Sequence, residues 1–434
     1  MLRVTLRQFL ALHRGRREAL WCFFKQKGGV MKNKFFAAIS VMALLVLLFA
    51  GGAVPASAED GTIKIGVSIR MISDVGFKIG RMIEDEFALI NAAGGINGRK
   101  VELIFMNDEC KSEKGVANAT KLAYDNKVLL LVGSSCSSVT LPMVAVTAKA
   151  KVPQITPHST NPKITMTGSE WIFRVPVSGR FYKAVLAKYV AEKIGKRIAY
   201  IYASDAAGLA FAKDMMKYVK SEYGADPAFQ VQVQEKEIDF RASLVKAKAA
   251  KPDAIVISAL QDESSRALVQ SYEVGIPASI PRVLNSVASK QEVPLLSGDA
   301  VKGVFYSAAY SAADERPIAR LFTRLIKEKY GVLPDHDFSQ AWDLVQIVQM
   351  ALEKADLKLK PDTLAADRAA IRDALASIKD YQGLASGPIS FCADGTPQCR
   401  DGNRTPILIE YIKGGKDFET RVLDRITFDA DFSL

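Results

Sequence analysis

From Ile63 to Ser307 the chain repeats one unit: a short apolar run that reads as a strand, then an amphipathic run at helical spacing. No other feature constrains the fold as much. Strands separated by helices pair in parallel, and a parallel sheet needs helices over both faces. Ile63, Ile65, Val67 and Ile69 alternate with Lys64, Gly66 and Ser68, which predicts a strand. Ile79, Met82, Ile83, Phe87 and Ile90 then share one helical face, and Gly94-Gly95 supplies a left-handed cap. Strands follow at Val101–Met106, Val128–Val132 and Val152–Ile155, with helices at 113–125 and from Ser137-Ser138 onward. Past residue 178 the pattern gives strands Arg197–Tyr202, Phe229–Val233, Ala254–Ala259 and Gly303–Ser307. Helices at Phe181–Ile194, Ala207–Tyr223, Phe240–Ala250 and Glu263–Val274 lie between them. So long a repeat exceeds one comfortable core. Two doubly wound α/β lobes are expected, with the first crossing at the polar stretch Pro176–Arg180.

The net charge of +11 suggests an anionic partner until its distribution is read. Residues 1–58 hold nine Lys/Arg and one acid, leaving 49 basic and 46 acidic side chains on the remainder. Nucleic-acid binding needs a concentrated basic face, so no nucleic-acid partner is expected. Lys32 and Lys34, the apolar run Phe35–Ala50 and the small-residue site Ala56-Ser57-Ala58 form the three zones of a secretory signal peptide, with cleavage expected after Ala58. Met31 reads as the true start. Residues 1–30 then become a mis-assigned extension, since Lys27-Gly28-Gly29 can be encoded by a ribosome-binding site. No Cys stands near Ala58, so no lipid anchor is expected, and the mature protein should be free in the periplasm.

Cys110, Cys136, Cys392 and Cys399 then remain. An even number in an oxidising compartment reads as disulfides. Of the three pairings, the turn-rich loop between Cys392 and Cys399 favours a local bridge, which leaves Cys110 with Cys136. Zinc is the rival, but CxxC and HxxxH spacings are absent.

Residues 91–103 (Asn-Ala-Ala-Gly-Gly-Ile-Asn-Gly-Arg-Lys-Val-Glu-Leu) resemble the first helix-to-strand turn of the periplasmic leucine/isoleucine/valine-binding protein family. Matches in the same order follow at Asn107–Cys110, Gly133–Ser138, Ile155–Pro162, Asp205–Gly208 and Ser271–Gly275. The resemblance spans 61–434 and implies a type I periplasmic binding fold: two doubly wound α/β lobes on a multi-strand hinge. Lobe 1 is expected at 59–178 and 308–403, lobe 2 at 179–307 and 404–434. A monomer that closes over a small ligand and delivers it to an inner-membrane ABC permease is implied. So is a Cys110–Cys136 bridge.

The residues themselves support an anion site. Ser137 and Ser138 lie where a buried strand becomes a helix, so free N–H groups and the helix dipole point outward. Pro157-His158-Ser159-Thr160 follows the next strand and should end at the same sheet edge. In the family, positions matching Ser137 and Thr160 hold a ligand carboxylate, and the carbonyl matching His158 accepts from its ammonium. The family's aromatic pocket positions appear here as Val75, Ala207 and Leu260 or Gln261, and its second-lobe acid as Ser286. Asp205 and Asp262 are the other acids placed to meet an ammonium. The ligand expected is an aliphatic amino acid, with a small aromatic or aliphatic carboxylate as the alternative.

Other constellations give way to simpler readings. Asp335-His336-Asp337 is expected to be a solvated loop, because adjacent residues rarely converge on one metal. Gly133–Ser137 lacks the final glycine of a nucleophile elbow. Neither GxGxxG nor a P-loop occurs. A binding protein is expected, with no cofactor, rather than a hydrolase or a sensor ectodomain on the same fold.

Overall fold

The computed structural model describes residues 61–71, 74–385, 387–392 and 397–428. The extension (1–30), the signal segment (31–58) and its cleavage point lie outside the described residues. The repeating unit of the sequence forms as β1 (Ile63–Ile69), α1 (Asp74–Ala92), β2 (Val101–Asn107), α2 (Ser112–Thr120), β3 (Leu130–Gly133), α3 (Ser137–Lys149), β4 (Gln154–Thr156) and β5 (Ile172–Arg174). The five strands pair in parallel in the order β2-β1-β3-β4-β5. Residues 88–100 form a small unit of their own. There the Gly95 N–H returns to the Ile90 carbonyl at 2.9 Å, and Ile96 bridges Arg99. A Cβ on Gly95 would sit 2.1 Å from the Arg99 carbonyl oxygen, so this turn requires glycine.

After Arg174 the chain enters a second lobe through α4 (Gly179–Tyr189), β6 (Ile198–Ala203), α5 (Ala206–Tyr223), β7 (Phe229–Val233), α6 (Arg241–Ala249), β8 (Ala254–Ser258), α7 (Gln261–Glu273), β9 (Arg282–Leu284), α8 (Glu292–Ser297) and β10 (Phe305–Ala308). Successive residues of β6 serve opposite faces. Ala199, Ile201 and Ala203 pack with Leu244 of α6 and with Phe240 just before it, whereas Ile198, Tyr200 and Tyr202 pack with Phe211 and Met215 of α5. Every residue of β6 is buried. That is why the strand reads as a continuous apolar run rather than an alternating one.

Three further helices, α9 (Pro317–Tyr330), α10 (His336–Lys354) and α11 (Leu364–Ala376), return to the first lobe. Arg368 of α11 donates to the carbonyls of Ala123, Val128 and Ala150 at 2.8–3.0 Å. Tyr330 of α9 donates to Asp85 of α1 at 2.9 Å. A short hairpin follows, β11 (Tyr381–Gln382) with β12 (Pro388–Ile389). The chain then crosses again to add β13 (Ile407–Lys413) and β14 (Glu419–Arg425) to the second sheet, whose order is β14-β13-β10-β9-β8-β6-β7. Both added pairings are antiparallel, β13 with β10 and β14 with β13. A hairpin can extend a sheet edge without a crossover helix, so its sequence lacks the repeat's signature. Cys110–Cys136 and Cys392–Cys399 are both bridged.

Candidate functional site

In sheets ordered 2-1-3-4-5, ligands bind where the connections diverge, beyond the C-terminal ends of the first and third strands. Here those ends are Ile69 and Gly133 in the first lobe, and Ala203 and Ser258 in the second. At Gly133 the backbone passes so close to β1 that a Cβ would meet the Ser68 carbonyl oxygen at 2.1 Å. Glycine alone permits that approach.

The turn Ser134–Cys136 is fixed from below by a buried hydroxyl network. Ser134 Oγ donates to Asp108 at 2.6 Å, and its N–H donates to Thr140 Oγ1 at 3.0 Å. The hydroxyls of Thr156 and Ser159 both donate to the Ser134 carbonyl, at 2.7 and 2.9 Å, and Ser159 Oγ lies 2.7 Å from Thr140 Oγ1. All five residues are at most 1% exposed. A satisfied polar network in a low-dielectric interior holds one geometry. It locks the loop after β3 to the loop after β4. Ser159 thus faces inward and positions its neighbours.

Above this network the two loops meet at Ser137. Its Oγ accepts the Asn161 N–H at 3.2 Å, leaving the Ser137 O–H able to donate. Thr160 is half-buried. Its carbonyl accepts the Gly179 N–H at 2.8 Å, and its hydroxyl has no partner among the described residues. Ser138 is exposed, with its carbonyl taken by Ser112 Oγ at 2.9 Å.

A cleft of about 680 Å³ opens beside these loops. Its walls come from Arg70, Ser135, Cys136 and His158 of the first lobe, from Leu260, Gln261, Val287 and Lys290 of the second, and from Asp335 and Asp337 on the return segment. Ser137 and Thr160 are not among its lining residues; they follow the lining residues Cys136 and His158 by one and two positions in sequence. A larger groove of about 820 Å³ lies on the second lobe between Tyr272 and Ile412. No end of β1, β3, β6 or β8 reaches it, so the smaller cleft is the better candidate.

The return segment is more structured than a solvated loop. Asp335 caps α10, its Oδ1 accepting the N–H groups of Asp337 (2.9 Å) and Phe338 (3.2 Å). Lys290 of the second lobe reaches across to Asp335 Oδ2 at 2.7 Å and Asp337 Oδ2 at 2.5 Å. Ser289 Oγ lies 2.7 Å from His336 Nδ1, and Gln291 donates to the Leu333 carbonyl at 2.7 Å. His158 Nε2 donates to the Asp337 carbonyl at 2.8 Å. The expectation of a solvated loop is therefore corrected. Asp335 satisfies a helix start, and its ionic partner comes from another lobe.

Residues 62–400 match the profile that defines periplasmic binding proteins. The chain belongs to that family. Its members bind solutes rather than transform them. An amino acid binding protein of Pseudomonas aeruginosa is 32% identical over 190 residues, 44% of this chain and 50% of that protein. A Leu/Ile/Val-binding protein homolog of Brucella melitensis is 27% identical over 69% of this chain and 81% of its own length. Among solved structures, the branched-chain amino acid transporter substrate binding protein of Streptococcus pneumoniae, in complex with isoleucine, superimposes with a TM-score of 0.69 at 24% identity. That match covers 83% of this chain and 99% of the other. A solute binding protein of Rhodopseudomonas palustris, in complex with 3,4-dihydroxy benzoic acid, gives 0.69 at 21% identity over 84% and 97%. At these identities the structural matches establish the shared fold. Among the described residues no helix is long and apolar enough to cross a membrane.

The remaining sequence candidates divide between this cleft and its surroundings. Asp205 accepts the Gly208 N–H at 2.9 Å at the start of α5, and Asp262 is exposed in the first turn of α7. Neither forms part of the cleft wall. Ser286 opens a single tight turn, and its carbonyl accepts from Ser289 Oγ at 2.9 Å. Leu260 and Gln261 do line the cleft, whereas the side chains of Val75 and Ala207 lie outside those described. Sequence reasoning missed Arg70, Lys290 and the role of Asp337. Arg70 is exposed on the wall and unpartnered among the described residues.

The inter-lobe ion pair has a defined pH window. Burial alone would raise the Asp337 carboxyl, but the Lys290 ammonium and the two histidines hold it well below the ordinary value of 3.8. Burial likewise opposes the Lys290 charge, yet Asp335 and Asp337 push that amine above 10.5. Burial lowers His336, which is therefore neutral at pH 7. A depressed carboxylate stabilises above its unfolded pKa and loses that contribution as pH falls. A raised amine stabilises below its unfolded pKa and loses it as pH rises. The tie contributes fully between about pH 4 and pH 10 and gives way only beyond the shifted values, well below 3.8 on the acid side and above 10.5 on the basic side. Small-angle scattering at a pH well below 3.8 is expected to show a larger radius of gyration than at pH 7. Asp337→Asn should show the larger value at pH 7 already, and equal radii would contradict the assignment.

Proposed function

We propose that this protein is the periplasmic solute-binding component of an ABC importer, acting as a monomer. It holds a small carboxylate-bearing solute, foremost an aliphatic amino acid, in the cleft between its lobes. The observation that carries this reading is the junction at Ser137. There the first N–H groups of α3 and a hydroxyl free to donate meet the loop that carries the half-buried Thr160, next in sequence to residues that line the cleft. Hydroxyls, N–H donors and a helix N-terminus together suit a carboxylate. Closure would bring the second lobe over the ligand about a hinge at residues 175–178, 309–316 and 402–406, by preferential binding to the closed state. Export by the signal segment and hand-over to a membrane permease belong to the same proposal.

Relatives named for leucine, isoleucine and valine support the amino acid. One observation favours a carboxylate without an ammonium. Arg70 is an unpartnered cation on the wall, and Lys290 rather than an acid comes from the second lobe near Ser286.

A thermal-shift screen of amino acids and small aromatic or aliphatic acids tests the function, because a ligand that binds only the folded state raises its melting temperature. With a hit in hand, Ser137→Ala and Thr160→Ala are each expected to weaken binding by about 1–3 kcal/mol in calorimetry. Unchanged affinity in both variants rejects the site.

A further inference from the structure

Within the proposed site, one end of an amino-acid ligand has no receptor yet. The acids near the second lobe's strand ends, Asp205 and Asp262, stand off the cleft wall, and Ser286 carries no charge. The wall nonetheless has more acids than bases: Asp74, Glu292, Asp335 and Asp337 against Arg70 and Lys290. Asp74 is exposed and already paired with Lys78. Asp335 and Asp337 sit together beside His158, and a primary ammonium already lies between them, that of Lys290. One turn along the same face of α10, Gln340 is fully buried. Its amide nitrogen donates to Tyr182 Oη at 3.2 Å, and its Oε1 has no donor among the described residues. A buried acceptor left open beside a carboxylate pair suits an incoming N–H donor.

We infer that Asp335 and Asp337 form the cleft's receptor for a ligand ammonium, and that Lys290 occupies this receptor when no ligand is bound. The inference rests on the amino-acid reading proposed above and selects it over the ammonium-free carboxylate. Lys290 is suited to the part. Its charge is a compact ammonium on a flexible stem, one fifth exposed, so it can swing toward solvent as a ligand amine takes its place. A tethered competitor lowers ligand affinity through its own high effective concentration. It also sets specificity, because a ligand without an amine gains nothing by displacing it.

The test is calorimetric titration of the twenty protein amino acids, and of the corresponding acids lacking the α-amino group, into wild type, Lys290→Met and Asp337→Asn. Wild type is expected to prefer an amino acid over its deaminated partner by about tenfold or more. Lys290→Met should tighten the amino acid about tenfold and move the deaminated acid by less than about threefold. Asp337→Asn should erase the preference. If that variant does not fold, as circular dichroism would show, Lys290→Met carries the test alone. An amino acid weakened by Lys290→Met would make Lys290 a closure strut and overturn the inference. Binding of deaminated acids only would overturn it while leaving the carboxylate-binding function standing. Binding of no compound in either set would defeat both.

Discussion

Arg174→Met is expected to lower the unfolding free energy by about 3–5 kcal/mol, because it leaves a buried carboxylate with no full partner. Arg174 ends β5 with no measurable exposure. Its guanidinium donates to the Asn161 carbonyl at 2.5 Å, to Thr165 Oγ1 at 3.2 Å and to Asp401, itself 3% exposed. Arg180 reaches the same carboxylate only at 3.5 Å, so it cannot replace the lost donor. Methionine fills similar volume but donates nothing, and the cost is mostly the stranded Asp401 charge. Arg174→Met combined with Asp401→Asn should therefore recover part of the loss. Thermal unfolding of the single and double variants checks this, and additive effects would show that the pair is not the cause. The same change should reach the ligand. Asn161, whose carbonyl Arg174 holds, donates its N–H to Ser137, so its release loosens the proposed carboxylate grip.

What the sequence revealed of the fold depended on element length and on who supplies the partner. The strands β1, β6 and β8 are five to seven residues long, enough for the alternation of β1 and the apolar runs of β6 and β8 to stand out against amphipathic helices. Strands β5 and β9 have three residues each, too few for any periodicity to register. The edge hairpin β13–β14 is antiparallel, and its second strand is largely half-exposed, so it shows neither the buried run nor a following helix.

The site divides in the same way. Hydroxyl-rich loops after β3 and β4 are local features, and the parallel sheet brings them side by side without further information. Which hydroxyl faces the ligand is not local. Ser159 and Thr160 are neighbours of similar chemistry, yet Ser159 is drawn inward by Ser134 and Thr140 while Thr160 keeps a free hydroxyl. The acids show the same limit. Asp337 reads as part of a polar loop until Lys290, 47 residues earlier, arrives from the other lobe. The signal that could have found it is the Asp335 cap followed by a long apolar helical face, which marks a helix start rather than a loop.

Opening the Cys110–Cys136 bridge should be the second large perturbation, and the two disulfides should differ in both size and consequence. A cross-link stabilises chiefly by shrinking the unfolded ensemble, more so for longer loops. With a sequence separation of 26, Cys110–Cys136 is expected to contribute about 3.5 kcal/mol; Cys392–Cys399, separated by 7, contributes about 2.5 kcal/mol. Their functional effects should diverge further. Cys136 is the residue immediately before α3, and the Cys110 N–H donates at 2.9 Å to Asp108, the carboxylate that holds Ser134. The first bridge thus fastens both ends of the network that sets Ser137 against Asn161. Cys110→Ala with Cys136→Ala should lower both melting temperature and ligand affinity. Cys392→Ala with Cys399→Ala should lower the melting temperature alone, because neither residue lines the cleft. Equal affinity losses in the two variants would mean that ligand binding follows global stability, and that the Asp108 network does not position the site.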